Sequence, residues 1–373
     1  MRRFSEVTRS MQIFLLLASM FSGMQASADG VVHISPIADK LHRPWSMVQL
    51  PDEGWLITLR GGQLVKVSAE GEKQTKIDLN LPGLFAESQG GLLDFALAQD
   101  YALSGTVLLT YSQGNKDANR LVVARAKFIN DTLSDLKIIL KVTPDKDTPV
   151  HYGGRLLALP DGTWLVTSGD GFDYREQAQV KDSLLGKVLH FREDGSAPQD
   201  PPFSTSPLVF TLGHRNPQAL IYDERTGNIV SHEHGPDGGD EINILTKGKN
   251  YGWPVTTYGK DYSGARISPF ETYPGMEQPA VNWTPSIAPS GMALYRGEQF
   301  AELEGKMLVT TLKDQSLYAV DLEAQPPTST KIFPQLKQRL RDVKIDNKGA
   351  IVILTDGANA QLLKIQRRNR KSD

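Results

Sequence analysis

A short unit recurs six times along this chain, and few folds accept it. A turn residue or glycine leads into a run of apolar, β-prone residues in "DEGWLIT" (52–58), "LSGTVLLTY" (103–111), "PDGTWLVTSGDG" (160–171), "RTGNIVSHEHG" (225–235), "LEGKMLVTTLKD" (303–314) and "NKGAIVILTDG" (347–357). The reference glycines are Gly54, Gly105, Gly162, Gly227, Gly305 and Gly349, at intervals of 44 to 78 residues. Each unit is preceded by a second strand-like run, such as "WSMVQL" or "RDVKID", and several are followed by a third, such as "QLVKVS" or "KVLHFR". Strand, turn, strand, turn, strand is what one blade of a β-propeller requires: each blade buries both faces against its neighbours, and the ring leaves few open edges. The pattern predicts an all-β fold, a six-bladed β-propeller, as a single domain over residues 29–373. Two stacked β-sandwiches would leave the six-fold turn pattern without a cause. "VVHISPI" (31–37) is left over at the front and is expected to complete a blade with the C-terminus. Most of the extra length lies between Gly162 and Gly305, so loops of the middle blades should build one end of the ring.

The absence of cysteine excludes disulfides, thiolate catalysis and thiolate metal sites. A formal net charge of −2 over 373 residues offers no basic surface for nucleic acid. Residues 1–28 read as a secretory leader: Arg2, Arg3 and Arg9, then the apolar "IFLLLASMF" (13–21), then "ASA" (26–28) as the cleavage pattern. An uncleaved anchor is the alternative. No later run reaches the roughly 18 apolar residues a membrane span needs, so the mature chain is expected to be exported, to the periplasm, without a span.

Three clusters stand at blade edges. In "VHYGGRL" (150–156), His151 precedes a strand and two glycines that let backbone approach a ligand; it is either a base near neutral pH or a surface turn histidine. In "TLGHRNPQAL" (211–220), Arg215 can grip a carboxylate through two parallel bonds, with the amides of Asn216 and Gln218 beside it; a satisfied blade-edge network is the plainer reading. In "QRLRDV" (338–343), Arg339 and Arg341 share one face of an extended strand and repel unless an anion lies between them; Lys313 of "TTLKDQSLY" adds a third cation. A charged face open to water is the alternative. Blades converge on a central channel, so these clusters can meet at one mouth around a small polyanion. The segment "HEHGPDGGDEINILTKGKNYGWP" (232–254) gathers carboxylates and glycines as oxygen donors for a hard cation would be, or as a solvated loop would be.

Ordered motifs now carry a resemblance. "SQGGLLDFAL" (88–97), "HYGGRL", "GHRNPQ", the His-Glu-His-Gly-Pro run ending in "GGDEIN", "NYGWP", "YSG", "PSIAPSGMALY" and "RLRDV" make the chain similar to soluble aldose sugar dehydrogenases that use pyrroloquinoline quinone (PQQ), of the glucose/sorbosone dehydrogenase family, from about residue 33 to 367. That family is a six-bladed propeller, in agreement with the turn count. The resemblance implies PQQ and calcium as cofactors, an aldose as substrate and an external electron acceptor, since the chain has no haem-attachment motif. It implies His151 as the base on the anomeric hydroxyl, with hydride passing to the quinone's C5 carbonyl carbon. It implies Arg215 beside the charge forming on that oxygen. Lys313, Arg339 and Arg341 would answer the three carboxylates of the cofactor, with Gln89, Asn216, Gln218 and Tyr262 around it. The carbonyls of Gly235 and Pro236 would hold the calcium next to the cofactor, and Glu241 with the carbonyl of Tyr251 a separate structural calcium. The chain departs from the family pattern at Asp237, where a basic residue is common, at Ala219, where glycine is, and at Val150, where some glucose-oxidising members carry an acid. A calcium-dependent propeller lactonase and a non-catalytic binding propeller remain as alternatives.

Overall fold

In the computed structural model, residues 30–369 are described; the leader expected over 1–28 lies outside them. Those residues form six four-stranded antiparallel sheets, one per blade of a β-propeller. The innermost strands are Pro44–Gln49, Leu92–Leu97, Leu156–Ala158, Pro217–Asp223, Pro289–Leu294 and Leu340–Ile345. Each packs beside the next, and the last packs beside the first, so they line a central channel.

In three blades the second strand is buried on both faces and reads as a mainly apolar run: Trp55–Leu59, Met307–Thr311 and Ile351–Thr355 are buried throughout. Apolar side chains cluster in six groups, one per seam between blades. Between blades 2 and 3, Leu108, Leu121 and Val123 meet Trp164, Leu189 and Phe191. Between blades 3 and 4 the group is smaller, built on Leu165, Val188, Phe210, Leu220 and Tyr251.

The fourth, outermost strand of each blade was not evident from the repeat. Gln74–Asp78 and Thr328–Ile332 are polar and alternate between exposed and half-buried, because only one face meets a neighbour. Gly30–Leu41 pairs with Ala360–Asn369, Gly30 opposite Asn369 and Leu41 opposite Ala360, so the front of the chain closes the ring as the outer strand of the last blade. The acidic segment is only partly loop: Asn228–Glu233 and Asp240–Leu245 are strands, leaving 234–239 as the turn that faces the channel. Among the described residues no helix is long and apolar enough to cross a membrane.

Candidate active site

Each blade offers the mouth of the channel two stretches, the residues entering its innermost strand and those leaving its second strand. His151 enters blade 3 and Asp170 leaves that blade's second strand, Thr163–Ser168. His151 is 4% exposed, and its Nδ1 lies 2.7 Å from Asp170 Oδ1. Asp170 is fixed in turn by the Phe172 N–H (2.8 Å) and the Trp253 indole N–H (2.8 Å). His151 Nε2 makes no hydrogen bond with any described residue, which leaves it as the nitrogen open to a ligand. Burial pushes the imidazole below its ordinary value, against the upward pull of Asp170, so the ring is neutral at pH 7. The backbone is strained to hold it there: His151 has φ 53, and a Cβ on Gly169 would stand 2.2 Å from the His151 carbonyl oxygen. Gln89 accepts the His151 N–H at 2.9 Å. Gly153 and Gly154 serve a different purpose from the one the motif suggested. They allow close approach to the protein itself, since added Cβ atoms would meet the Thr167 carbonyl at 2.8 Å and the Leu93 side chain at 2.7 Å.

Gln89, Tyr152 and Gly153, the hydrogen-bond partner and chain neighbours of His151, line a cavity of about 550 Å³ that His151 itself does not line. Its walls carry Arg43, Arg60, Arg339 and Arg341 against one carboxylate, Asp356, with Gln89, Asn216 and Gln218 as amides. The anion required between Arg339 and Arg341 is Asp356, which accepts Arg339 Nε at 2.9 Å and Arg341 Nη2 at 2.8 Å. Burial works to raise the Asp356 carboxyl, yet Arg341 and Arg339 together hold it below its ordinary range. The excess of guanidinium over carboxylate leaves the wall cationic. Asn216 Oδ1 accepts from Gly153 N–H and from Gln218 Nε2, both at 3.1 Å.

Two expected cofactor contacts sit elsewhere. Lys313 is exposed and turned toward Asp237 (3.9 Å), with only its neighbour Leu312 on the cavity wall. Tyr262 is 64% exposed and lines a second pocket of about 200 Å³ with Phe172, Arg215, Pro236 and Trp253. Its ring stacks on Phe172 at 6.3 Å, and Phe172 meets the His151 ring edge-on at 5.1 Å.

Arg215 lines the second pocket and not the first. Its Nη1 donates to the carbonyls of Gly235 (2.6 Å) and His234 (3.2 Å), and its guanidinium lies over Trp253 and Tyr262. Among the described residues none closes a cluster of three or more His, Asp or Glu side chains around a metal position. The candidate donors are mostly main-chain oxygens. Glu241 bonds Asn243 Nδ2 (2.8 Å), and desolvation with the nearby Glu233 pushes its carboxyl up to about 8. Asn243 Oδ1 is buried with no partner. Tyr251 follows in the next loop, its ring stacked on His214 at 5.0 Å.

The family model described as Glucose / Sorbosone dehydrogenase matches residues 41–364. The chain belongs to the glucose/sorbosone dehydrogenase family. This family member is 35% identical over 367 residues to the aldose sugar dehydrogenase YliI of Escherichia coli K12, covering 95% of this chain and 98% of that protein. It is 30% identical over 318 residues to the quinoprotein glucose dehydrogenase B of Acinetobacter calcoaceticus, covering 76% of this chain and 64% of that protein. Its fold superimposes on the PQQ-bound aldose sugar dehydrogenase of Streptomyces coelicolor with a TM-score of 0.76 at 26% identity, covering 91% of this chain and 99% of that one.

Four residues of this dehydrogenase-family site, Arg43, Arg60, Asp170 and Asp356, escaped the motif search. Three of them had a signal: Arg60, Asp170 and Asp356 fall within two residues of the end of the second strand of their blades, as Gly235 and Lys313 do. Aligning the six units on that strand's end points to all three.

Proposed function

We propose that this chain oxidises the anomeric carbon of aldose sugars to the lactone, using PQQ and calcium after export to the periplasm, and passes the electrons to an external acceptor. One observation carries the reading: a buried neutral imidazole, oriented by a carboxylate, belongs to a residue whose backbone N–H bonds Gln89 on the wall of a cavity that also carries four guanidiniums.

The cavity fits the quinone. Arg43, Arg60, Arg339 and Arg341 match three carboxylates with charge-assisted bonds, and Gln89, Asn216 and Gln218 suit a polar rim. When bound, PQQ supplies the electron sink that no side chain offers. The chain's own groups prepare the sugar. His151 Nε2 takes the proton of the anomeric hydroxyl. Asp170 keeps Nδ1 as the donor and stabilises the imidazolium that forms. Arg215 places fixed positive charge where negative charge develops on oxygen.

The residues also fit calcium. Gly235 and Pro236 would hold one ion through their carbonyls. The Gly235 oxygen already faces a cation, Arg215, and the turn is so tight that a Cβ on Gly235 would lie 2.2 Å from the Gly238 oxygen. Glu241 and the Tyr251 carbonyl would hold a second, where the Asn243 oxygen is orphaned and desolvation with Glu233 raises the Glu241 carboxyl. The first ion would supply a Lewis acid beside the cavity. Asp237, the departure in this loop, has its charge answered by Lys313.

The test is reconstitution of cofactor-free protein with PQQ and calcium, followed by sugar-dependent reduction of a dye. Turnover that needs both cofactors and vanishes in His151→Ala, with PQQ still bound, supports the proposal. Lactone hydrolysis without PQQ would replace it with the hydrolase reading, and PQQ bound without turnover on any aldose would leave a binding protein.

A further inference from the structure

Arg215 is buried, yet no carboxylate side chain among the described residues lies within ion-pair distance of its guanidinium. Its charge rests on carbonyl dipoles, chiefly that of Gly235 at 2.6 Å. This oxygen is the one assigned above to calcium. The loop that presents it is pinned: the Gly235 N–H donates to Asp240 Oδ1 at 2.8 Å, and Asp240 Oδ2 receives the N–H groups of Ile287 and Ala288, each at 2.7 Å. Asp237 and Lys260 exchange backbone hydrogen bonds across the loop. The side chain of Arg215 is the freer partner. Beyond the two carbonyls it meets only the Trp253 and Tyr262 rings and, at a long 3.4 Å, the Tyr262 hydroxyl, and the pocket of about 200 Å³ beside it offers room to move.

We propose that the Arg215 guanidinium holds the cation position at Gly235 in the metal-free protein, and that calcium loading displaces it toward the pocket lined by Phe172 and Tyr262. Two positive groups sharing one carbonyl would stand about 4 Å apart, where like charges repel by several kcal/mol even at an effective dielectric near 20. Calcium and the Gly235–Arg215 bond therefore compete. Arg215 reaches its working place only when the ion is bound, so an unloaded site lacks a correctly set arginine as well as the ion. This rests on the calcium assignment made under the proposed function.

The experiment is isothermal titration calorimetry of Ca²⁺ into the full chain stripped of metal and quinone, on a Glu241→Gln background that removes the second assigned site. Arg215→Met is compared with the parent, and Trp253 fluorescence, sensitive to the guanidinium over its ring, is followed in the same titration. The expected result is calcium binding at least tenfold tighter in Arg215→Met, with Arg215→Lys between the two and a fluorescence change in the parent alone. Equal or weaker binding in Arg215→Met overturns the displacement and leaves the calcium assignment standing. Absence of binding in every variant overturns both.

Discussion

The two sides of the channel mouth are built on opposite electrostatic plans. On the side of blades 6 and 1, Arg43, Arg60, Arg339 and Arg341 line one cavity, and Asp356 bonds two of them, Arg339 and Arg341. Part of this wall is wet, with the Arg339 side chain 49% exposed. On the side of blades 3 and 4, His151 is buried and neutral and owes its orientation to Asp170 and Trp253. The first side is suited to hold an anion wherever it lands. The second is suited to move one proton at one atom. Binding energy and chemistry are thus separated in space, and variants should separate them too.

The largest effect is expected from His151→Ala. Loss of a positioned base costs on the order of 10³-fold in kcat. PQQ affinity should stay within about threefold of the parent, because the guanidinium wall is untouched. Steady-state kinetics beside a cofactor titration checks both, and a comparable loss of PQQ binding would merge the two sides into one.

Asp170→Asn comes next, with kcat expected to fall on the order of 10²-fold as the ring loses its orientation. The pH profile gives the sharper result. Asp170 pulls the His151 pKa upward against burial, so its removal lowers that pKa further. The base works when deprotonated, and the acid limb of kcat/KM should therefore move to lower pH in Asp170→Asn. A limb that stays put or rises would show that His151 is not the titrating base.

Arg341→Ala should weaken PQQ binding by roughly tens of fold, in keeping with one charge-assisted contact, while kcat at saturating cofactor changes little. Unchanged PQQ affinity would remove the cationic wall from the cofactor site.

This division explains what could be read in advance. The fold was legible because second strands buried on both faces leave apolar runs, and the turns between them leave glycines. Outer strands such as Gln74–Asp78 were not, since a strand at the rim needs little apolar surface. His151 and Arg215 stood out as reactive residue types in unusual company. Asp170 and Asp356 did not, for each sits beside glycine in "SGDG" or "TDG", where an aspartate looks like turn chemistry. What decided their roles was the partner across the mouth, His151 for one and two arginines for the other, and that pairing depends on ring closure rather than on local sequence. Lys313 is the opposite case: its charge was legible, but its direction, toward Asp237, is set by a loop of the neighbouring blade.

The smallest predicted effect tests whether the buried side is also the acid-labile one. His232, on the second strand of blade 4, is fully buried with both ring nitrogens unpartnered, and desolvation pushes it down to about 3. The unfolded chain binds a proton at this ring below about pH 6.5, and the folded chain does so only near pH 3. Stability from this group is therefore complete above 6.5 and drains away as pH falls toward 3. Between pH 7 and 5.5 that amounts to about 1 kcal/mol. Guanidiniums stay protonated over the same interval, so the cationic wall adds no such slope. Urea unfolding of cofactor-free protein at the two pH values should show His232→Leu losing about 1 kcal/mol less than the parent. An identical loss in both would move the acid sensitivity away from the buried imidazole of blade 4.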